Sequence, residues 1–243
     1  MTDPLFLSED LADPLPEVGA TVVLGGDEGR HAAVVRRIGP GESVLVSDGR
    51  GRGVRAVVLA ASRSGLELRV QEQLTAAAPV LEVVAVQALA KGDRSELAVE
   101  MLTEMGVGRI WPWQASRSIV RWSGERGEKG LGRWRSTARE ATKQSRRLRV
   151  PEVGPVLSTA QLAAEIERAD LALVLHEDAA VPLREVVLPG RGRVLLVVGP
   201  EGGIAPEELE RFSAAGARTV LVSDGVLRTS TAGVVALAGL LLR

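Results

Sequence analysis

Cysteine is absent from the 243 residues, so no disulfide, thiolate nucleophile or cysteine-ligated metal can form. Imidazoles are almost absent too: only His31 and His176 occur. Neither has a partner at metal-ligand spacing, and no metal site is expected. No apolar run reaches the ~20 residues that a bilayer span requires. The start, Met1-Thr2-Asp3-Pro4-Leu5-Phe6, lacks the basic flank and apolar core of a secretory signal. These absences predict a cytoplasmic chain with no membrane partner. Internal repeats and low-complexity tracts are also missing. Core material is ample, with 45% of residues apolar, in a length between one large domain and two small ones.

Charge of one sign is scarce overall, the net being only −1, yet it is unevenly placed. Arg109 to Arg149 holds twelve Lys or Arg against three Glu, a net +9, which leaves −10 for the rest. Trp111, Trp113, Trp122 and Trp134 fall in the same window. Basic charge interleaved with aromatics is the footprint of a nucleic-acid surface, because phosphates need cations and unstacked bases need flat partners. In the helical stretch Arg133 to Leu148, Trp134, Ala138, Ala141, Ser145 and Leu148 share one face, while Arg135, Arg139, Lys143 and Arg146 share another. Four cations in one stripe repel unless something anionic neutralises them, which favours RNA. Each tryptophan, taken singly, reads as core before base platform.

Residues 21–70 show short strands punctuated by glycine, at Thr21–Leu24, Ser43–Val46, Val54–Leu59 and Leu66–Val70, interrupted by a short helix, Glu28–Arg37. That spacing predicts a small barrel over residues 1–74. Thr75 to Pro79 reads as a linker. Beyond it the period changes: strands at Leu81–Leu89, Ile110–Trp113, Leu171–Leu175, Val194–Val198 and Thr219–Val222 alternate with helices at Arg94–Met105, Arg133–Leu148, Pro206–Ala215 and Thr231–Leu242. The alternation predicts an α/β domain with a largely parallel sheet over residues 75–243. For the helix from Arg94, Asp93 and Glu96 are expected to form a capping box, Leu97, Met101 and Met105 to line the packed face, and Gly106 to stop it.

Asp48-Gly49-Arg50-Gly51-Arg52-Gly53 superficially matches a dinucleotide-binding loop, but that loop must open a helix. Val54 to Leu59 is β-branched and apolar, so a hairpin is expected. More informative are Val198-Gly199-Pro200-Glu201-Gly202-Gly203-Ile204 and Val226-Leu227-Arg228-Thr229-Ser230-Thr231-Ala232-Gly233. Each follows a strand and leads into a helix, and loops leaving the carboxyl ends of parallel strands are where small ligands bind. His176 ends another strand at the same sheet edge. His31, beside Arg30 and ahead of Arg36, reads as a surface histidine with RNA contact as the second possibility.

Together these segments resemble the SPOUT methyltransferases, and within them the bacterial uridine-N3 methyltransferases of small-subunit ribosomal RNA. The resemblance runs through Gly29-Arg30-His31, Asp48-Gly49, Lys91-Gly92-Asp93-Arg94, Glu100 to Val107, Arg117-Ser118, Arg133-Trp134, Ala141 to Arg147 and the two C-terminal loops. It departs at Ser223-Asp224, where members often carry Leu-Gly, and in lacking an Arg-rich start. It implies a PUA-like barrel, an α/β domain threaded into a trefoil knot, a homodimer, and S-adenosylmethionine held by Leu175, His176, Gly199, Glu201, Gly202, Leu221, Val222, Ser223, Val226, Leu227 and Arg228. The 16S ribosomal RNA or small subunit would then meet Arg30, His31, Arg36, Arg117, Arg121, Arg135, Arg139, Lys143 and Arg146.

Uridine N3 is a weakly acidic imide whose lone pair is free only once its proton leaves. A cation would stabilise the resulting anion and a carboxylate could take the proton; Arg228 and Glu201 are the catalytic candidates. Two other readings stay open, a SPOUT ribose 2′-O-methyltransferase and a noncatalytic RNA-binding or ribosome-assembly factor.

Overall fold

In the computed structural model, which describes residues 3–242, contacts divide the chain into two units. The first comprises Met1–Ala78 with Arg139–Val150, the second Pro79–Ala138 with Pro151–Arg243.

In the first unit, apolar residues recur at period two, as a half-buried sheet requires. Strands β1 (Leu5–Leu7), β2 (Thr21–Leu24), β3 (Ser43–Ser47), β4 (Arg52–Ser62) and β5 (Gly65–Thr75) form a sheet of order β1-β3-β4-β5-β2. All neighbours are antiparallel except β1 and β3. Val44 and Val46, Val54, Ala56 and Val58, and Leu66, Leu68 and Val70 point into one core with Phe6 and Leu24. The expected helix Glu28–Arg37 begins two residues earlier and widens in its second half. α1 (Gly26–Arg30) passes into a π-helical turn, His31–Val35, in which Arg36 N–H donates to the His31 carbonyl. β1 was not expected, since three apolar residues carry no period to read.

Asp48 to Gly53 is the hairpin between β3 and β4, with φ of 73° at Gly49 and 106° at Gly51. The Asp48 carboxylate accepts from the main-chain N–H groups of Arg50 and Arg52 and from Arg52 Nε. The segment after residue 139 belongs with this sheet because Ser47 Oγ lies 2.9 Å from the Leu148 carbonyl and Gly51 N–H donates to the same oxygen.

In the second unit, β6 (Leu81–Ala88), β7 (Arg109–Trp113), β8 (Glu152–Val153), β9 (Leu171–Leu175), β10 (Gly192–Val198) and β11 (Arg218–Val220) form a fully parallel sheet of order β11-β9-β10-β6-β7-β8. Its central strands are buried on both faces, which explains their unbroken apolar runs. One face packs Val84, Val86, Leu195 and Val197 against Leu162 and Ile166 of α4 (Thr159–Glu167) and Phe212 of α5 (Pro206–Ala214). The other carries α2 (Arg94–Met105) and α6 (Thr229–Leu241), packed on each other. Among the described residues no helix is long and apolar enough to cross a membrane.

Several expectations need correction. The packed face of α2 is Ser95, Ala98, Val99, Leu102 and Thr103, not Leu97, Met101 and Met105; Leu97 is 43% exposed. α6 packs on that face, where the position a Cβ would take at Gly233 lies in ordinary contact with Leu102 Cδ2, at 3.5 Å. The Asp93–Glu96 capping box does not form. Asp93 is helical, at φ −75° and ψ −1°, and Ser95 Oγ binds Ala90 instead, while Glu96 pairs with Arg133. Gly106 does end the helix, at φ 86°. α3 (Gly124–Gln144) begins nine residues before the expected Arg133, despite four glycines, and stops before Leu148. Gly130 is required there, since a Cβ would stand 2.5 Å from the Trp122 ring. α4 was missed although Ser158 and Gln161 form a complete capping box ahead of it.

The Asp48 carboxyl is desolvated, which raises its pKa, but the Arg50 and Arg52 hydrogen bonds outweigh this and hold it below the ordinary value. A lowered folded-state pKa contributes stability that is present above the unfolded value, about 4, and is lost as pH falls through the folded value. Asp48→Asn is therefore expected to be less stable than the parent in urea at pH 7, with the gap shrinking below about pH 4. A gap independent of pH would contradict this account.

Candidate functional site

Three loops at the carboxyl ends of β9, β10 and β11 enclose a cavity of about 760 Å³ within the second unit. β9 delivers Leu175 and His176, β10 delivers Gly199, Glu201 and Gly202, and the chain after β11 delivers Leu221, Val222, Ser223, Val226, Leu227 and Arg228. All eleven residues expected around a cofactor thus line one cavity. Of the residues expected to meet RNA, Arg117 lines it too, its Nη1 donating to the Gly202 carbonyl at 3.2 Å.

The glycine loop is shaped by close approach. A Cβ at Gly199 would stand 2.8 Å from Ile204 Cγ1, and Gly203 sits at φ +71°. Its carbonyl end is anchored from across the fold: Thr229 Oγ1 donates to the Gly199 carbonyl at 2.7 Å and accepts from Gln87 Nε2 at 3.0 Å. Gln87, on β6, is fully buried. The same anchor holds Arg228, the residue before α6, at the cavity wall. No acceptor or carboxylate among the described residues meets the Arg228 guanidinium.

Glu201 is already engaged: its Oε1 accepts from the Lys91 N–H at 3.1 Å and lies 3.7 Å from Arg94 Nη1. Arg94 itself lines the cavity. Sequence reasoning did not single it out as a site residue; its place at the start of a helix beyond the β6 carboxyl end was the available signal. His176 Nδ1 accepts from the Asp178 N–H at 3.2 Å, which leaves the proton of a neutral ring on Nε2.

The donor set suits a nucleoside-like ligand. Apolar walls come from Leu175, Ile204 and Leu227. Among the described residues, the N–H groups of Val222, Leu227 and Arg228 meet no protein acceptor. Unspent amides beside apolar walls can read the edge and the face of a heterocycle. Among the described residues, no three His, Asp or Glu side chains are placed to hold a metal.

The other basic residues are divided between the two units. Arg30, His31, Arg36, Arg139, Lys143 and Arg146 belong to the first unit, and Arg121 and Arg135 to the second. Arg30 pairs with Asp27, and His31 stands edge-on to Phe6 at 6.4 Å. Arg121 donates to the Ser116 carbonyl, and Arg135 Nε lies 3.5 Å from the Val153 carbonyl. Arg36 and Arg146 are exposed, the latter at φ 55°. Lys143 has a side chain only 9% exposed and pairs with Glu28 and Glu140, and Arg139 lies 3.7 Å from Glu9 and Glu28. The anions that the cationic stripe demands are thus supplied in part by the chain's own carboxylates. All four tryptophans are buried, Trp122 and Trp134 edge-to-face at 5.2 Å.

Residues 77–241 match the family model of the RNA methyltransferase domain, and residues 24–71 that of the RNA methyltransferase PUA domain. The ribosomal RNA small subunit methyltransferase E of Mycobacterium tuberculosis is 48% identical over 229 residues, covering 93% of this chain and 87% of that one. The Bacillus subtilis protein of the same name is 29% identical, covering 92% and 91%. Among solved structures, the Neisseria gonorrhoeae ribosomal RNA small subunit methyltransferase E bound to S-adenosyl methionine superposes with a TM-score of 0.85 at 27% identity, over 98% of this chain and 97% of that one. A Legionella pneumophila protein solved with bound SAM gives 0.85 at 26% identity, over 98% and 96%.

Thr229→Val keeps the side-chain shape but strands the Gly199 carbonyl and leaves the Gln87 amide only two longer main-chain contacts, at 3.4 Å. A loss of about 1–3 kcal/mol in urea unfolding is expected. An unchanged midpoint would show that the anchor contributes nothing.

Proposed function

Because the chain belongs to the ribosomal RNA small subunit methyltransferase E family, we propose that it methylates N3 of a uridine in 16S ribosomal RNA in the cytoplasm, with S-adenosylmethionine as methyl donor. The observation that carries this is the convergence of the three loops on one cavity whose apolar walls and free amides suit an adenosyl group. When bound, S-adenosylmethionine supplies an electrophilic methyl group on a sulfonium.

The chain's own residues then orient the acceptor and manage its proton. Leu175, His176, Gly199, Gly202, Leu221, Val222, Ser223, Val226 and Leu227 hold the cofactor. Arg228, with no protein anion to satisfy it, faces the negative charge that spreads to the uracil carbonyl oxygens as N3 loses its proton. Concentrating a fixed cation where charge develops is worth about 10²–10³ in rate in comparable sites. Glu201 receives the proton, its carboxylate kept in place by the Lys91 N–H and Arg94.

The PUA-type unit adds RNA contacts through Arg30, His31 and Arg36. Arg117, Arg121, Arg135 and Arg146 extend them. Arg139 and Lys143 contribute by exchanging their carboxylate partners for phosphate. The family's trefoil knot and homodimer belong to the same reading. Leu221 is bonded on both sides by the preceding loop, donating to Val181 and accepting from Leu183, which supports a threaded C-terminal segment. Leu97 of α2 with Val235 and Leu241 of α6 leave large apolar side chains exposed, which supports a second copy on those helices.

Mapping 16S ribosomal RNA by nuclease digestion and mass spectrometry, with and without the gene, tests the reaction. Loss of one N3-methyluridine is expected; loss of a ribose methyl, or of none, overturns the assignment. For the roles, Arg228→Ala and Glu201→Gln should each lower kcat by about 10²-fold or more. A variant that keeps kcat while its calorimetric affinity for S-adenosylmethionine falls would instead reassign that residue to cofactor binding.

A further inference from the structure

The cavity described above leaves one buried ionisable side chain unused. Glu208, in the first turn of α5, is 5% exposed, and no cation among the described residues pairs with it. Its carboxylate is instead surrounded by neutral donors. Oε1 accepts from the Ser116 N–H at 2.9 Å and from Thr159 Oγ1 at 2.7 Å; Oε2 accepts from Ser116 Oγ at 2.9 Å and from the Ala205 N–H at 3.2 Å. Trp113 Nε1 in turn lies 3.3 Å from Thr159 Oγ1. A carboxylate without a counter-ion is tolerable here because the N-terminus of α5 offers partial positive charge and every lone-pair direction is filled.

A helix cap requires only the Ala205 bond. The other three reach chain segments more than forty residues away in sequence, and two of them converge on Ser116. This residue is exposed, yet its N–H and hydroxyl bind Glu208 while its carbonyl accepts from Arg121 Nη2 at 2.8 Å. All three of its polar groups are fixed. The next residue is Arg117, whose guanidinium reaches the Gly202 carbonyl, and whose Cβ stands only 3.3 Å from where a Cβ of Gly202 would be. The loop after β7 is thereby registered against the glycine loop after β10.

We propose that Glu208 is a positioning residue for RNA recognition: by clamping Ser116 it holds the Arg117 guanidinium at the cavity, where that guanidinium meets the incoming RNA. This rests on the RNA methyltransferase reading above. It assigns Glu208 no contact with either substrate and places its effect in Arg117.

Methylation kinetics on a 16S fragment, calorimetry with S-adenosylmethionine and hydrogen exchange test it together. Arg117→Ala and Glu208→Gln should each raise KM for RNA on the order of tenfold, the double variant no more than either single one, with cofactor affinity within about twofold of the parent. Ser116→Ala, at an exposed position, should give a smaller change of the same sign and carries the test if Glu208→Gln does not fold. Multiplicative effects of Glu208→Gln and Arg117→Ala, or a loss of cofactor affinity as large as the rise in KM, would overturn the proposal. Hydrogen exchange separates this from the functional reading. The peptide covering residues 114–118 should exchange faster in Glu208→Gln whatever the substrate proves to be, and unchanged protection there would overturn the clamp. Absence of methyl transfer by the parent protein would overturn the functional reading alone.

Discussion

The bond between the Thr229 hydroxyl and the Gly199 carbonyl is the constraint on which the site depends. It joins the start of the last helix to the loop after β10, and the buried Gln87 amide on β6 secures it from behind. Without it Arg228 and the amides near it would have no fixed relation to the glycine loop. The parallel sheet makes such a bond possible, because β6 and β10 are neighbours and their carboxyl ends open on the same side. Packing then does the rest: Gly233 lets α6 sit against Val198 and Leu102, and the cavity wall inherits the rigidity of the core.

Charged side chains are used in two ways. In the first, the basic stripe of α3 is partly neutralised inside the protein, where Glu28 lies between Arg139 and Lys143. In the second, Arg228 is left without a carboxylate and Glu208 without a cation. An unpaired cation at a cavity wall can answer charge that develops in a ligand, whereas a buried anion met only by neutral donors serves geometry. The same residue types therefore do opposite work according to whether their partners lie within the chain.

Much of this was legible in the sequence. Five of the six strands of the parallel sheet, the hairpin at Asp48 to Gly53 and the eleven cavity residues follow from local pattern and from motif resemblance, because strand-loop-helix punctuation is written in adjacent residues. What escaped depends on distant partners. Nothing near Leu97 or Met101 says that α6 presents a glycine to the opposite face of α2, so the larger side chains were wrongly expected to be buried. Nothing beside Lys143 shows that Glu28, more than a hundred residues earlier, will meet it. Glu208 looks like any acid in a first helical turn until Ser116 and Thr159 arrive from elsewhere. The nine-residue extension of α3 escaped for another reason: its glycines argue against helix, and the Trp122 ring packed on Gly130 overrides them.

The anchor between Gln87 and Thr229 spans 142 residues of sequence, and this has a consequence for how the protein is made. Loop closure over such a separation is entropically costly and comes late, so a chain rich in these contacts folds slowly. During synthesis β6, α2 and β10 leave the ribosome before α6 does, so the part of that sheet face that α6 covers is still open. The cavity has no wall on one side until residue 229 has emerged. A chain whose synthesis stops before α6 lacks Thr229 and Ala232 of the cavity lining and presents an open apolar sheet face to chaperones and proteases.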